Sequence, residues 1–269
     1  MLRLSMSEFT TFRWTFEEDV RRYAAAGFEG IGVWRQKLAE CGEERGVDLL
    51  CESGLAVSSL MWAGGFTGSD GRSMEGSVED GIEALRLAAA LRAECLIVYT
   101  GGRGGHTHRH ARRIAINALS EMAVVANELD VCLAVEPMHP GCGLDWTFLS
   151  TIEATLDLLS DVLSLKMVFD AYHWALLPGI LDEVPRLVPH LALVQLGDGC
   201  GKPCGEQDRR PVGDGILPLK PIVRSLIECG YDGFFEIELM GPEIETSDYH
   251  GLVSRSARAL AQLTAGVEH

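Results

Sequence analysis

The sequence predicts an α/β fold, a (β/α)8 barrel formed by one domain over residues 1–269. Eight short apolar segments with the composition of buried strands recur along the chain, and segments with helical signals lie between them. Chains that alternate in this way form parallel sheets covered by helices. The length of 269 residues is also close to that of such a barrel, roughly 250 residues.

The predicted strands are rich in valine, leucine, isoleucine and aromatic residues, as expected for strands buried on both faces. An open doubly wound sheet is the competing architecture, but it requires a glycine-rich turn after its first strand. The segment LRLSMSEFTTF, which contains the first strand, has no glycine. The eight strands are LRLS at 2–5, GIGVW at 30–34, LAVSSLMW at 55–62, CLIVYT at 95–100, VCLAVE at 131–136, LKMVFD at 165–170, LALVQL at 191–196 and FFEIEL at 234–239.

Three of the intervening segments carry distinct helical signals. Residues 15–18 (TFEE) have the pattern of a capping box, in which a Thr side chain and a Glu three residues later satisfy free amides. Residues 77–80 (SVED) predict the start of a helix that runs to about Arg92. Residues 109–128 predict an amphipathic helix, with an apolar stripe at Ile114, Ala118, Met122 and Val125.

Composition and charge exclude several classes of protein. Apolar residues make up 47% of the chain, which supports a large core. The 23 Lys and Arg residues against 39 Asp and Glu residues give a net charge of −16, so neither nucleic acid nor a membrane surface is an expected partner. No signal segment or long apolar window is seen, which predicts a cytoplasmic protein. Whether the chain forms a homo-oligomer is left open.

The eight cysteines are expected to be free thiols. Cys95, Cys132 and Cys229 lie in or beside apolar runs, and a reducing compartment disfavours disulfides. Cys200 and Cys204 form a single C-x-x-x-C pattern in a Gly/Pro-rich loop, with no second cysteine pair nearby. A zinc knuckle is therefore not the favoured interpretation of this loop.

Polar side chains lie at or near the ends of predicted strands 5 to 8. Because active sites of α/β barrels lie at the C-terminal ends of the strands, we expect these side chains to meet. Three carboxylates would repel one another unless a cation lies between them, although each alone could cap a helix or pair with an arginine. Carboxylate and amide oxygens favour Mg²⁺ or Mn²⁺, with Co²⁺ or Zn²⁺ as alternatives. The four residues are Glu136, Asp170, Gln195 and Glu238.

Several motifs, taken in order, resemble those of the xylose-isomerase-like TIM barrel superfamily. This superfamily contains sugar phosphate isomerases and epimerases, inosose and dehydroshikimate dehydratases, and an apurinic endonuclease. Each motif alone is loose, but their order and spacing are specific and cover nearly the whole chain. The matching segments are AGFEGIGVW at 26–34, AVEPMHP at 134–140, FDAYHW at 169–174, VQLGD at 194–198, RRPVGDG at 209–215 and GYDGFFEIE at 230–238.

The resemblance implies roles for individual residues. It makes Glu136, Asp170, Gln195 and Glu238 the metal ligands, and the two glutamates also the groups that exchange protons with the substrate. It places His173 and His139 in the substrate pocket, with His173 as a further candidate acid, and it brings Arg209 and Asp198 to the site. Gln195 departs from the epimerases of the superfamily, which usually have His there, whereas some dehydratases have Gln.

Other polar and aromatic residues have weaker indications. Glu236 lies two residues before Glu238 and therefore on the same strand face, where it could be a deeper ligand or pair with a cation. Trp34 and Trp62 are candidates for stacking on a sugar ring, as is Trp174, although packing is the more common role of such aromatics. Residues 103–113 contain four arginines and three histidines but no acid, which is consistent with a solvated helix start or with attraction of an anionic substrate.

The predicted function is that of a divalent-metal-dependent sugar isomerase or epimerase, which removes a proton next to a carbonyl through a metal-stabilised enediolate. The expected partner is a small carbohydrate, neutral or anionic. A dehydratase of a cyclic keto-polyol, of the inosose or dehydroshikimate type, is the alternative, because the same intermediate can expel a β-hydroxyl. A non-catalytic sugar-binding barrel is a further alternative. An endonuclease is disfavoured, because its three-metal site has more histidines and its substrate is anionic.

Overall fold

Eight parallel strands pair in sequence order and close into a barrel through the pairing of the last strand with the first. This computed structural model describes residues 3–264. The predicted (β/α)8 barrel is confirmed, and each predicted strand overlaps an observed one. The strands are β1 (Arg3–Ser7), β2 (Gly30–Trp34), β3 (Ala56–Gly64), β4 (Cys95–Tyr99), β5 (Cys132–Val135), β6 (Lys166–Asp170), β7 (Leu191–Leu196) and β8 (Phe234–Ile237).

Helices follow the strands along the chain and pack on the barrel and on one another. None of the helices within residues 3–264 is both long enough and apolar enough to cross a membrane. The described helices are α1 (Phe16–Ala26), α2 (Arg35–Cys41), α3 (Glu43–Ser53), α4 (Met74–Leu91), α5 (His108–Leu129), α6 (Ile152–Asp161), α7 (Ala171–Trp174), α8 (Ile180–Leu187), α9 (Leu219–Glu228), α10 (Pro242–Thr246) and α11 (Tyr249–Thr264), with short 3₁₀ turns at Glu8–Thr11 and Val188–His190.

The starts of two helices test the capping predictions. The Thr15 hydroxyl accepts a hydrogen bond from the Glu18 amide at 3.3 Å, so the predicted start of α1 is confirmed. The predicted start of α4 at Ser77 is wrong, because Ser73 caps this helix by accepting from the Gly76 amide at 3.0 Å. A Ser-x-x-Gly sequence lacks the carboxylate by which a capping box is recognised. Ser77 is instead buried in the first turn.

The amphipathic helix predicted over 109–128 is observed as α5, one residue longer at each end. Ala118 and Met122 are buried as expected, but Ile114 and Val125 are only half-buried at the edges of the stripe. The face that packs inward is made mostly of alanines, which let the helix approach its neighbours closely. Its residues are Ala111, Ala115, Ala118, Leu119, Met122, Ala123 and Ala126.

Alternation along the strands divides the core into two layers. On β4, Leu96 and Val98 belong to the larger cluster between barrel and helices, whereas Cys95, Ile97 and Tyr99 belong to a second cluster. Because successive strand side chains point to opposite faces, this second cluster is the barrel interior. It comprises Met61, Cys95, Ile97, Tyr99, Ala134, Met138, Val168, Leu193 and Phe234.

The same alternation positions the polar residues. Ala134, Val168 and Leu193 face the interior, so the residues two positions later on β5, β6 and β7 face the same way. On β8 the interior Phe234 is followed on the same face by Glu236, and then by Glu238 just after the strand. The barrel interior is therefore apolar below and polar at its C-terminal mouth, where Glu136, Asp170, Gln195, Glu236 and Glu238 lie.

Candidate active site

Four side chains predicted to meet do lie at one end of the barrel. Glu136 directly follows β5, and Glu238 directly follows β8. Asp170 is the last residue of β6, and Gln195 of β7 is its partner in the pairing of these two strands. All four are buried, with at most 2% of the surface of any residue exposed. Their common location follows from the parallel strands, which bring every strand end to the same mouth.

Several buried oxygen and nitrogen atoms at this mouth, of the kinds that bind metals, have no hydrogen-bond partner. They are both carboxylate oxygens of Glu136, Oε1 of Gln195 and Nε2 of His173. Oδ2 of Asp170, beside them, meets the guanidinium of Arg209 at 2.7 Å. Donor atoms of Glu136, Asp170 and His173 lie within 4.8 Å of one another, and Glu238 is not part of this cluster. Because a buried polar atom without a partner is costly, the arrangement is one that a cation would complete. The residues therefore fit a divalent metal.

Asp170 has two separate tasks because its two oxygens face different groups. Its Oδ1 accepts a hydrogen bond from the Tyr172 amide at 2.9 Å and caps α7. Helix α7 then places His173 one turn later, with Nε2 at 3.6 Å from Oδ2 of Asp170 and 3.9 Å from Oε1 of Glu136. His173 was predicted to contact substrate or donate a proton, and its place among these carboxylates makes it a candidate metal ligand as well.

Gln195 connects the two glutamates of β8. Its Nε2 donates to Oε2 of Glu238 at 2.7 Å and to Oε1 of Glu236 at 3.2 Å, so its Oε1 is the atom left for a ligand. Glu236 also accepts hydrogen bonds from Ser58 at 2.6 Å and Ser59 at 3.1 Å. The deeper glutamate is therefore held by hydroxyl and amide donors from β3 and β7.

Arg209 reaches into the mouth from the loop between β7 and α9 and is completely buried. Its Nη2 lies 2.7 Å from Oδ2 of Asp170 and 3.3 Å from Oε1 of Glu238. The first contact is a close ion pair with the oxygen of Asp170 that does not cap α7. The resemblance had brought Arg209 to the site, and the structure places its charge directly between two predicted ligands.

Burial changes the proton affinities of the site. It raises the pKa of Glu136 well above its ordinary value, and the charges of Glu238 and Asp170 raise that pKa further. Burial also raises the pKa of Glu238 to about 8, against the opposing effect of Arg209. The pKa of Asp170 is raised by burial despite Arg209. When Arg209 is the only cation present, the three carboxyl groups therefore tend toward protonation.

His173 is shifted in the direction that keeps it neutral. Burial lowers the pKa of this imidazole well below its ordinary value, and the nearby Arg209 lowers it further. Its Nδ1 lies 3.7 Å from the Cys142 thiol. Burial also raises the pKa of that thiol to about 11, so Cys142 is uncharged. A neutral imidazole with an unpartnered Nε2 is suited to bind a metal.

An apolar cavity of about 180 Å³ adjoins Glu238 at the mouth. Aromatic rings and methionines form most of its wall, and they come from loops after β1, β5 and β8 as well as from β4. The polar residues in the wall are Gln207, Glu238 and Glu245. Its other lining residues are Phe9, Phe12, Tyr99, Met138, Trp146, Met240, Ile244 and Tyr249.

The predicted tryptophans lie behind this wall. Trp34 packs against the lining residues Phe9 and Phe12, with ring centroids 5.2 and 5.6 Å apart. Trp62 packs against Trp146 at 5.5 Å and against Tyr99 at 5.6 Å. Both therefore support the rings that line the cavity. Trp174 is buried and donates its indole hydrogen to the carbonyl oxygen of Pro137 at 3.1 Å.

Two other predicted substrate contacts, His139 and Asp198, lie away from the cavity next to Glu238. His139 is half-buried, accepts a hydrogen bond from the Gly141 amide, and lines a smaller cavity that His173 also lines. Asp198 accepts hydrogen bonds from three backbone amides of its own loop, those of Gly199, Gly213 and Leu217. Asp198 thus holds the loop that carries Arg209.

The basic segment, residues 103–113, forms the loop after β4 and the first turns of α5. His106 contacts the carbonyl oxygen of Thr67 at 3.2 Å, and Arg112 pairs with Asp161 at 2.5 Å. None of its residues lines the cavity next to Glu238. Attraction of an anionic substrate by this segment remains a prediction. All eight cysteines of the chain are free thiols.

The site also contains residues that the sequence did not single out. Phe9, Phe12 and Tyr249 reach the cavity from segments far apart in the chain, and Trp146 is 42% exposed at its rim. Their only signal in the sequence was an aromatic residue in a loop predicted to follow a strand. Such residues are as common in packing as in binding, so their convergence required the fold.

Comparisons with known proteins agree with the fold. A sequence model of the family described as xylose isomerase-like TIM barrel matches residues 20–263. An inosose isomerase of Halalkalibacterium halodurans is 26% identical over 137 residues, which cover 49% of this chain and only 48% of that relative. The match thus spans about half the length of that protein.

Solved structures resemble the whole barrel. Protein SMc04130 from Sinorhizobium meliloti 1021 has a TM-score of 0.89 at 24% identity, with 97% of this chain and 98% of that chain covered. The IolI protein, solved with a zinc atom, has a TM-score of 0.85 at 16% identity, with 99% of each chain covered. At these identities the likeness is one of fold.

Proposed function

Because the chain belongs to the xylose isomerase-like TIM barrel family, we propose that it is a divalent-metal-dependent enzyme that moves a proton next to the carbonyl of a small carbohydrate, as isomerases and epimerases do. The observation that carries the proposal is the cluster of buried oxygen and nitrogen atoms at the barrel mouth. Those of Glu136, Gln195 and His173 have no hydrogen-bond partner, and a carboxylate oxygen of Asp170 lies within 4.8 Å of those of Glu136 and His173. This group adjoins Glu238, which lines a cavity large enough for a small ligand.

We propose Glu136, Asp170, Gln195 and Glu238 as ligands, with His173 as an additional candidate. When bound, the cation would supply a Lewis acid that polarises the carbonyl of the substrate. One imidazole nitrogen among oxygens suits Mn²⁺ or Zn²⁺ as well as Mg²⁺. The zinc atom in the IolI protein supports a divalent ion in a barrel of this fold.

The two glutamates are the groups we propose to carry protons. Both oxygens of Glu136 are without hydrogen bonds, and Glu238 lines the cavity. Each carries a carboxyl group that can accept and return a proton, which is the requirement for an acid–base pair. Gln195 cannot exchange a proton, and neutral His173 cannot donate one as an imidazolium. Glu136 and Glu238 therefore remain as base and acid.

The cavity supports an uncharged substrate. Its wall consists mainly of aromatic and aliphatic groups, on which the C–H faces of a sugar or cyclic polyol can pack. The wall contains the carboxyl groups of Glu238 and Glu245, and no lysine or arginine is among its described lining residues, so a phosphate group would find no cationic partner in it. An inosose isomerase among the relatives supports a keto-polyol as substrate. The proposed substrate class is therefore an uncharged ketose or cyclic keto-polyol.

The test is solvent hydrogen exchange. Protein loaded with Mn²⁺ is incubated in D₂O with uncharged ketoses, keto-inositols, their phosphorylated counterparts and dehydroshikimate, and the products are followed by NMR and mass spectrometry. We expect deuterium at the carbon next to the carbonyl of an uncharged substrate, with an isomer or epimer as product. Loss of a water from the product would identify a dehydratase instead. No exchange with any compound would refute the proposal.

Variants of the two glutamates test the assignment of the base. Glu238→Gln keeps an oxygen ligand but removes a proton acceptor, and we expect it to abolish exchange, as should Glu136→Gln. The control is Glu29→Gln, at an exposed residue just before β2 and so at the opposite end of the barrel from the mouth. It should leave exchange unchanged. Exchange at the wild-type rate in metal-loaded Glu238→Gln would show that Glu238 is not the base.

A further inference from the structure

The guanidinium of Arg209 makes an unusually complete set of contacts for a side chain at an active-site mouth. Nε and Nη2 donate to Oε1 of Gln207 at 2.9 and 2.5 Å, and Nη1 donates to the backbone oxygen of Glu238 at 3.1 Å. The same Nη2 faces Asp170 and Glu238. The face of the Tyr172 ring lies 4.9 Å away. Arg209 is therefore a completely buried cation with several partners.

The carboxylate oxygens that Arg209 faces are those of two proposed metal ligands. Its Nη2 is 2.7 Å from Oδ2 of Asp170, the one oxygen of that residue that is not used to cap α7. It is also 3.3 Å from Oε1 of Glu238, whose other oxygen accepts from Gln195. A metal bound to both of these oxygens would therefore lie close to the present position of Nη2.

The structure also shows which part of Arg209 is able to give way. Its backbone amide donates to the carbonyl oxygen of Met240 at 2.9 Å, and the next residue pairs with Asp198 in an antiparallel bridge. The backbone is thus anchored on both sides. Nε and Nη1 hold Gln207 and the Glu238 carbonyl oxygen, which are not carboxylates. A rotation of the planar guanidinium about the bonds of its side chain would free both carboxylates, at the expense of the Nη2 contact to Gln207, without moving the loop backbone.

From this geometry we infer that Arg209 is a built-in cation that competes with the divalent metal for Asp170 and Glu238. In the metal-free protein the guanidinium neutralises these buried carboxylates, and it withdraws from them when the metal binds. The inference rests on the proposed metal site and concerns its regulation. Arg209 therefore lowers the affinity of the site for the metal. It also stabilises the metal-free protein, since a buried carboxylate without a partner is unfavourable.

The experiment measures Mn²⁺ binding rather than catalysis. Metal-free wild type, Arg209→Met and the control Arg210→Met are titrated with MnCl₂ by calorimetry, and the melting temperature of each metal-free protein is recorded. Arg210 is the neighbouring arginine, and it pairs at the surface with Asp208 and Glu243. An arginine within about 4–6 Å shifts the proton equilibrium of a carboxylate by roughly one to three powers of ten, and we expect an effect of similar direction on the affinity of that carboxylate for a metal. We therefore expect Arg209→Met to bind Mn²⁺ at least about tenfold more tightly and to melt lower without metal.

The outcomes separate this inference from the proposed function. If wild type and Arg209→Met bind Mn²⁺ equally, or the variant binds more weakly, the competition is refuted while the metal site stands. If neither protein binds Mn²⁺, the proposed metal-dependent function fails together with the inference. Tighter binding by Arg209→Met, with Arg210→Met unchanged from wild type, supports the competition.

A second measurement needs no variant and covers the case in which Arg209→Met does not fold. Crystal structures of the wild type without metal and after soaking in MnCl₂ are compared at the Nη2 contacts. We expect the Nη2–Oδ2 distance to Asp170 to increase from 2.7 Å to beyond hydrogen-bonding range in the Mn²⁺ form. Retention of both carboxylate contacts beside bound Mn²⁺ would overturn the inference.

Discussion

At the scale of single residues, Glu8 is a buried carboxyl group that lies outside the proposed site. It follows β1, is completely buried, and its Oε2 accepts from the Trp34 amide at 2.7 Å while Oε1 accepts no hydrogen bond. Burial raises its pKa well above the ordinary value, and the neighbouring Asp19 raises it further against the effect of Lys37. The protonated form of Glu8 is therefore the form that the fold favours.

This shift fixes the sign of a pH dependence. A carboxyl whose pKa is higher in the folded than in the unfolded state stabilises the fold fully below its unfolded pKa, about 4.3, and loses this contribution as the pH rises through the folded pKa. Each pH unit in that window removes up to about 1.4 kcal/mol. Glu8→Gln is neutral at every pH and can still accept from Trp34. We expect its melting temperature, relative to wild type, to rise between pH 5 and pH 9.

The measurement is calorimetric melting of both proteins across that pH range. Only the difference between them is used, because other buried groups titrate in both. The exposed Glu29→Gln is the matched control and should follow the wild type throughout. A Glu8→Gln difference that stays constant with pH would mean that Glu8 is ionised in the fold.

At the scale of elements, the loop between β7 and α9 depends on Asp198. Its Oδ1 accepts from the amides of Gly199 at 2.8 Å and Leu217 at 3.0 Å, and its Oδ2 accepts from that of Gly213 at 3.0 Å. In Asp198→Asn an NH₂ group would replace one of these acceptors and face an N–H donor. Hydrogen bonds to charged groups contribute about 1.5–3 kcal/mol, so we expect about 2 kcal/mol of destabilisation.

Melting temperatures and substrate titrations distinguish this role from substrate binding. If Asp198 anchors the loop, Asp198→Asn melts several degrees below wild type in the absence of any substrate. The exposed Asp232→Asn serves as the control and should melt like the wild type. An unchanged melting temperature combined with weaker substrate binding would favour the role that the family resemblance implied.

Helix α5 provides an element-scale test of capping. The Thr107 hydroxyl accepts from the His110 amide at 3.3 Å at the start of this 22-residue helix, in the middle of the basic segment. We expect Thr107→Ala to cost about 1 kcal/mol. For a domain of this size that lowers the melting temperature by roughly 2–4 °C. Thr107→Ser retains an acceptor and should recover most of the loss, whereas equal losses in both variants would argue against the cap.

At the scale of the whole molecule, the proposed metal couples four strands to one another. A ligand that binds only the folded state adds RT ln(1 + [L]/Kd), or about 2.7 kcal/mol at a hundredfold excess over Kd. We expect chelation to lower the melting temperature by roughly 5–10 °C and added Mn²⁺ to restore it. Asp170→Asn, which keeps an oxygen to cap α7, should lose much of this response. An unchanged melt after verified metal removal would indicate a hydrogen-bonded network without metal.

The course of the chain around the barrel was predictable from local pattern. Most buried strands are nearly continuous apolar runs, and a polar residue at or near the end of such a run marked Glu136, Asp170 and Gln195 as candidates. Parallel pairing then brings all strand ends to one mouth. These inferences require only neighbouring residues and the geometry of a strand, so the sequence determined them by itself.

Only the tertiary structure decided how the mouth is filled. The pairing of Arg209 with Asp170 and Glu238, and the cavity wall built from residues as distant as Phe9 and Tyr249, depend on where long loops return. A loop side chain has no periodicity, so its local sequence does not indicate which way it points. Charge balance and cavity shape are sums over residues that meet only in the closed barrel, and for that physical reason they followed from the fold rather than from any segment of the chain.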